Sequence, residues 1–162
     1  MKYIILMLTL TFMVTTSPKT LIIKSPAFTE NDFIPSKYSC DGLNVNPALT
    51  IKNIPKDAKS LALIMDDPDA PNGTFDHWVI WNIPVKEKIQ ENSTPGTQGK
   101  NGRQENKYTG PCPPNGTHHY HFRIYALDTK LDLPTSTDKK GLLIAMENHI
   151  VATGELIGLY KR

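Results

Sequence analysis

A single, mainly β domain is the fold class this sequence predicts, on three observations. Its 162 residues suit one ordinary domain with a real core and leave no room for two. Short apolar runs recur along the chain with the two-residue alternation of strands. The 13 prolines and 10 glycines are spread between those runs as turn residues, and a disordered chain would lack such runs.

The N-terminus reads Met1-Lys2, then a mostly apolar run over residues 3–14, then small polar residues and Pro18. That is the layout of a secretory signal peptide, and the run is too short to span a bilayer comfortably. The expectation is a signal peptide over about residues 1–17 and one domain over residues 18–162. The product would be exported, periplasmic or secreted, with no transmembrane segment after processing. Strands are expected over residues 21–24, 48–54, 60–66, 77–83, 120–127 and 156–160. Between the third and fourth, Asp67-Pro68-Asp69-Ala70-Pro71-Asn72-Gly73 forbids a regular element and joins the two strands as antiparallel neighbours. The Gly-, Asn- and Pro-rich stretch over residues 87–114 is too long for a mere connector. One helix is expected, capped by Ser136 or Thr137 with Asp138 at its positive end. Its apolar stripe would be Leu142, Leu143, Ala145, Met146 and Ile150, and His149 reads as a surface group near its C-terminal end.

With 18 Lys and Arg against 16 Asp and Glu, the net charge is +2 and the basic residues form no stripe, which argues against nucleic-acid binding. Cys40 and Cys112 are too few and too far apart for a zinc site of cysteine spacing. They are either free buried thiols or one disulfide. A disulfide here would close a loop of about 70 residues and stabilise the fold by roughly 4 kcal/mol on the chain-entropy picture.

Counting by twos along the strands locates a candidate site. Leu61, Leu63 and Met65 share a phase that continues to Asp67. Val79, Trp81 and Ile83 share one that begins at His77. Tyr120, Phe122, Ile124 and Ala126 share one that begins at His118. Three apolar faces thus end in ionisable residues, and a hairpin between the third and fourth strands, with the fifth running alongside, brings Asp67, His77, His118 and Tyr120 to one end. Two histidines and a phenol can hydrogen-bond phosphate or carboxylate, and an aspartate can fix one imidazole's tautomer. Gly96, Gly99, Gly102 and Gly110 would let backbone N–H groups approach such an anion. A zinc hydrolase built on His118, His119 and His121 would require the strand to break, since His119 and His121 alternate away from His118. No Ser nucleophile motif of the G-x-S-x-G type occurs, and Cys112, between Pro111 and Pro113, has no evident activating base. No metal or cofactor is therefore expected.

Three blocks also resemble a known family in order and spacing. They are Asp67-Pro68-Asp69-Ala70-Pro71, His77-Trp78-Val79-Ile80-Trp81-Asn82-Ile83-Pro84, and Gly110-Pro111-Cys112-Pro113-Pro114-Asn115-Gly116-Thr117-His118-His119-Tyr120-His121-Phe122. They resemble the signature segments of the phosphatidylethanolamine-binding proteins, also called Raf kinase inhibitor proteins. The wording Tyr38-Ser39-Cys40-Asp41-Gly42 and Tyr125-Ala126-Leu127-Asp128 is similar to the prokaryotic branch of that family. The resemblance implies a central antiparallel sheet of Greek-key type, a smaller second sheet and few short helices. It also implies a surface pocket for phosphate, phosphorylethanolamine or carboxylate, built from Asp67, Asp69, His77, Gly110, Pro111, His118 and Tyr120. Where animal members carry an aromatic pair before the pocket histidine, this chain has Phe75-Asp76. The function so implied is non-enzymatic binding of a small anion or phospholipid head group. A hydrolase or esterase with a pocket histidine as base is the alternative, and an inhibitor acting on a peptidase partner a third.

Overall fold

The computed structural model describes residues 19–162, so the expected signal peptide lies outside the described residues. Ten strands and one α-helix follow in order: β1 (Lys19–Thr20), β2 (Ile22–Lys24), β3 (Asp32–Phe33), β4 (Leu49–Lys52), β5 (Ser60–Asp67), β6 (Phe75–Ile83), β7 (Lys88–Ile89), β8 (Thr97–Gln98), β9 (Thr117–Leu127), α1 (Lys139–Met146) and β10 (Ile150–Lys161). All six expected strands are present. The four additions, β1, β3, β7 and β8, are two-residue pairings too short to carry an alternation.

The larger sheet runs β1-β10-β9-β5-β6-β8, with β3 also paired to β10, and the smaller runs β2-β4-β7. The long ladders are antiparallel, and only the short β1 and β3 join β10 in parallel. Central β5 is buried on both faces along its whole length, because its two phases serve two cores. Leu61, Leu63 and Met65 pack with Phe122, Ile124, Leu49 and Ile51 between the two sheets. Ala62 and Ile64 pack with Trp81, Leu142 and Met146 beneath α1.

The helix departs from expectation at both ends. Asp138, not Ser136 or Thr137, is its cap, accepting a hydrogen bond of 2.8 Å from the Gly141 N–H. An acceptor two or three residues before the first free N–H groups satisfies a donor that has no partner within the helix. Only Leu142 and Met146 of the stripe are buried, Leu143 is 40% exposed, and Ile150 already belongs to β10. His149 is half exposed and its Nδ1 lies 2.8 Å from Asp128 Oδ1, a surface position as expected.

The fourth strand is where simple alternation fails. Val79 and Trp81 face the helix-side core, whereas Trp78, Ile80 and Ile83 face the core between the sheets. Two bulges cause this. Leu61 pairs with Ile83 but Leu63 with Ile80, an extra residue accommodated around Asn82 at φ 53. Met65 pairs with Trp78 and Asp66 with Asp76, leaving His77 as the extra residue of a second bulge. A bulge bends its strand and re-aims the side chain it carries.

Candidate functional site

The second bulge builds the site. By alternation with Val79 and Trp81, His77 would point toward the helix-side core. As a bulge residue it instead stands edge-on to Tyr120, with ring centroids 5.2 Å apart, and to Phe75 at 4.8 Å. The residue is the one the alternation picked, and the device that aims it is different. Thr109 fixes it from the long loop: its carbonyl accepts from His77 Nδ1 at 2.7 Å, and its N–H donates to the His77 carbonyl at 3.0 Å.

Since a carbonyl only accepts, Nδ1 bears the proton and Nε2 is left for the cavity. Burial pushes the imidazole below its usual pKa and outweighs the opposite pulls of Thr109 and Asp67. Asp67 ends β5 at 3% exposure. Its Oδ2 accepts from His118 Nδ1 at 2.7 Å, and its Oδ1 from the Asp69 N–H at 2.9 Å. One carboxylate thus sets the second imidazole's tautomer and closes the proline turn.

These three residues line a cavity of about 180 Å³ together with Ala70, Pro71, Phe75, Arg103, Thr109, Cys112, Pro113 and Pro114. Tyr120 stands behind His77. Its hydroxyl is fully buried and has no hydrogen-bond partner among the described residues. Burial, then the charge of Asp67, pushes it far above its ordinary value, so it stays protonated.

Asp69 is elsewhere: its Oδ2 caps His119, accepting from the backbone N–H at 2.8 Å and lying 2.7 Å from Nδ1. Those bonds hold its carboxyl below the usual range. Gly110 and Pro111 are also off the cavity wall. The Gly110 N–H donates to Asn44 Oδ1 at 2.7 Å, and a Cβ at Gly110 would meet the Tyr38 carbonyl at 2.2 Å, so backbone packing explains that glycine. The Pro111 carbonyl accepts from the Cys40 N–H.

Two more glycine N–H groups are likewise spent within the protein: Gly99 on the Val79 carbonyl and Gly102 on the Asp76 carbonyl. The latter lies against the Phe75 ring, which a Cβ would strike at 2.6 Å. The three histidines do not converge, because β9 runs unbroken and His121 turns to Glu155 at 2.8 Å.

Sequence reasoning missed Arg103, Phe75, Thr109 and Asn101. Asn101 is 2% exposed and knots the loop. Its Oδ1 accepts from the Arg103 and Glu105 N–H groups, and its Nδ2 donates to the Lys107 carbonyl and Thr109 Oγ1. That knot holds Arg103 beside the cavity, and among the described residues the guanidinium has no ion-pair partner. A stretch such as Gly102-Arg103-Gln104-Glu105 carries no periodicity that could have flagged it. Cys40 and Cys112 are bonded, with Cα atoms 5.5 Å apart, which resolves the open choice between free thiols and a disulfide.

A family profile described as phosphatidylethanolamine-binding protein matches residues 24–161. The chain belongs to that family. Among members, a UPF0098 protein of Pyrococcus abyssi is 48% identical over 149 residues, spanning 85% of this chain and 84% of its own length. A UPF0098 protein of Chlamydia trachomatis is 41% identical over 147 residues, spanning 86% and 98%. The fold is similar to a solved phosphatidylethanolamine-binding protein homologue from Chlamydia trachomatis, with a TM-score of 0.85 and 39% identity over 89% of this chain and 99% of that one. It is also similar to E. coli YbcL, described as a member of the mammalian family, at a TM-score of 0.81 and 26% identity over 88% and 98%.

Proposed function

We propose that this family member is a non-enzymatic binding protein whose cavity takes a small anionic group: phosphate, phosphorylethanolamine or a carboxylate. One observation carries the proposal. Arg103, without an ion-pair partner among the described residues, lines the same cavity as His77 and His118. A guanidinium with no such partner among the described residues, beside two imidazoles, makes a set of donors suited to phosphate or carboxylate oxygens. The family's name, phosphatidylethanolamine-binding, points to the same ligand class. Both imidazoles have Nδ1 engaged, so each offers Nε2 and donates to an anion only when protonated. Burial holds His77 below the usual histidine pKa, so its protonation against a bound anion takes up a proton and binding strengthens as the pH falls. Export to an oxidising compartment, after loss of a signal peptide over about residues 1–17, fits the bonded Cys40 and Cys112. N-terminal sequencing of secreted material tests it.

A hydrolase is the second reading, favoured by the buried pair of Asp67 and His118 at 2.7 Å, since an oriented imidazole is the usual general base. One experiment separates the two. Inorganic phosphate and phosphorylethanolamine are titrated by NMR against the wild type, His77→Ala and Arg103→Ala, with phosphatase and esterase turnover assayed in parallel. The binding reading expects loss of at least tenfold in affinity in either variant and no turnover. Unchanged affinity in both variants sinks the cavity assignment, and turnover abolished by His118→Ala establishes the hydrolase.

A further inference from the structure

A disulfide sulfur has no proton to donate to an anion, yet Cys112 belongs to the cavity wall. Its two sulfurs differ in access and in surroundings. Cys40 is exposed and Cys112 half-buried. Asp41 Oδ1 lies 4.0 Å from Cys40 Sγ, and Arg162 Nη1 lies 3.7 Å from Cys112 Sγ. Arg162 Nε also pairs with Asp41 at 3.2 Å, so a carboxylate and a guanidinium sit across the bond, each nearest a different sulfur. A neighbouring cation favours a thiolate and a neighbouring carboxylate disfavours it. In exchange, the sulfur with the more stable thiolate leaves faster, and the attacked sulfur must be reachable. Access and charge thus agree on the direction: attack at Cys40, departure of Cys112.

We propose that the Cys40–Cys112 bond is a thiol–disulfide exchange site, opened at Cys40 by an external dithiol, and that opening it loosens the cavity wall and weakens the hold on an anion. A thiolate of the dithiol attacks Cys40 Sγ, and the bonding pair leaves on Cys112 Sγ as a thiolate beside Arg162. The dithiol's second thiolate then attacks its own sulfur in the mixed disulfide. That step releases Cys40, which takes a proton from water. The protein disulfide gains two electrons and the dithiol is oxidised to its own disulfide.

The wall is sensitive to this step because Pro113 and Pro114 have no N–H to donate. Among the described residues no hydrogen bond holds positions 113–116 between Cys112 and the start of β9. Two other bonds of this clasp do not run through sulfur. The Cys40 N–H donates to the Pro111 carbonyl, and the Tyr108 hydroxyl to the Tyr38 carbonyl, so reduced protein is expected to stay folded. The effect on affinity rests on the anion-binding reading, and the exchange chemistry does not.

The test has two independent arms. In the first, iodoacetamide alkylation is followed against pH in Cys40→Ser, which frees Cys112, and in Cys112→Ser, which frees Cys40. Glutathione mixed disulfides of the wild type are mapped by mass spectrometry. The expected result is a Cys112 thiol more acidic than Cys40 by at least one pH unit, a gap that narrows with Arg162→Gln, and glutathione found on Cys40. Equal acidities, the reverse order, or glutathione on Cys112 overturns the exchange site. In the second arm, inorganic phosphate is titrated by NMR with oxidised and dithiothreitol-reduced protein, whose fold is checked by circular dichroism. At least threefold weaker binding by folded, reduced protein, restored on reoxidation, supports control of the cavity. Equal affinity, or unfolding on reduction, overturns it. Phosphate binding to neither form removes the anion reading together with its control, and the exchange site then stands or falls on the first arm.

Discussion

Asp66 and Asp67 are neighbours at the end of one strand, equally buried at 1% and 3% exposure, and they face opposite sides of the sheet. Asp66 meets two permanent cations, Arg123 and Lys139, the latter at 2.6 Å. Burial pulls Lys139 toward neutrality, but the hydrogen bonds and charges of Asp66 and Asp76 outweigh it and hold the ammonium above its ordinary pKa. Asp67 meets an imidazole and the backbone of its own turn. The first carboxylate is matched within the fold and leaves nothing for a ligand. The second is matched to a ring that itself lines the cavity. A buried carboxylate thus serves structure or recognition according to whether its partners lie within the fold or on the cavity wall.

That contrast can be broken most forcefully at Asp66. Asp66→Ala removes the most buried carboxylate from Arg123 and Lys139, which keep Glu155 and Asp76 as partners, and is expected to cost about 3 kcal/mol, the lower end for breaking a buried pair. Urea unfolding measures it, and phosphate affinity of the folded variant should be unchanged. Asp67→Ala is expected to cost about 2 kcal/mol, the loss of a charged hydrogen bond. Here the telling readout is nitrogen NMR of His118, which should pass from a single Nδ1-protonated tautomer to a mixture. A fixed tautomer in the variant would remove Asp67's orienting role.

The pH dependence sharpens the comparison further. His77 has its pKa lowered by burial, so below the ordinary histidine value of about 6.5 the unfolded chain binds a proton that the native one resists. Stability should therefore be full above about 6.5 and decline as the pH falls toward the depressed native value. Each unit of depression is worth about 1.4 kcal/mol once both states are protonated. Unfolding from pH 8 to 5 should show a steeper decline than in His77→Phe, and parallel curves would refute the assignment. The smallest effect is expected from Asp69→Ala, an exposed cap on His119 worth less than about 1 kcal/mol. Phosphate titration should not notice it, and weakened binding would return Asp69 to the site.

The regions legible in advance were those where local periodicity and tertiary packing agree. β9 alternates cleanly, so His118 and Tyr120 were placed on the correct face, and β5 carried Asp67 with it. β6 was located but misphased, because two bulges break the alternation and neither Asn82 nor His77 announces one by residue type. The cavity's outer wall was unreadable for a different reason. Arg103 and Thr109 owe their places to Asn101, a buried amide holding four partners in an irregular loop, and such contacts leave no pattern along the chain. The short parallel pairings of β1 and β3 join residues more than a hundred positions apart, which no window of sequence can see.

The His77 bulge has a consequence for how this sheet tolerates length change. A chain lacking one residue between Asp76 and Trp78 would run the β5–β6 ladder in continuous register, gaining regular pairing at the strand's end. The same deletion would remove the one imidazole on β6, and positions 78–81 could not supply it, since Trp78, Val79, Ile80 and Trp81 are each committed to one core or the other. The irregular residue is thus the point at which a more orderly sheet and a working cavity become mutually exclusive.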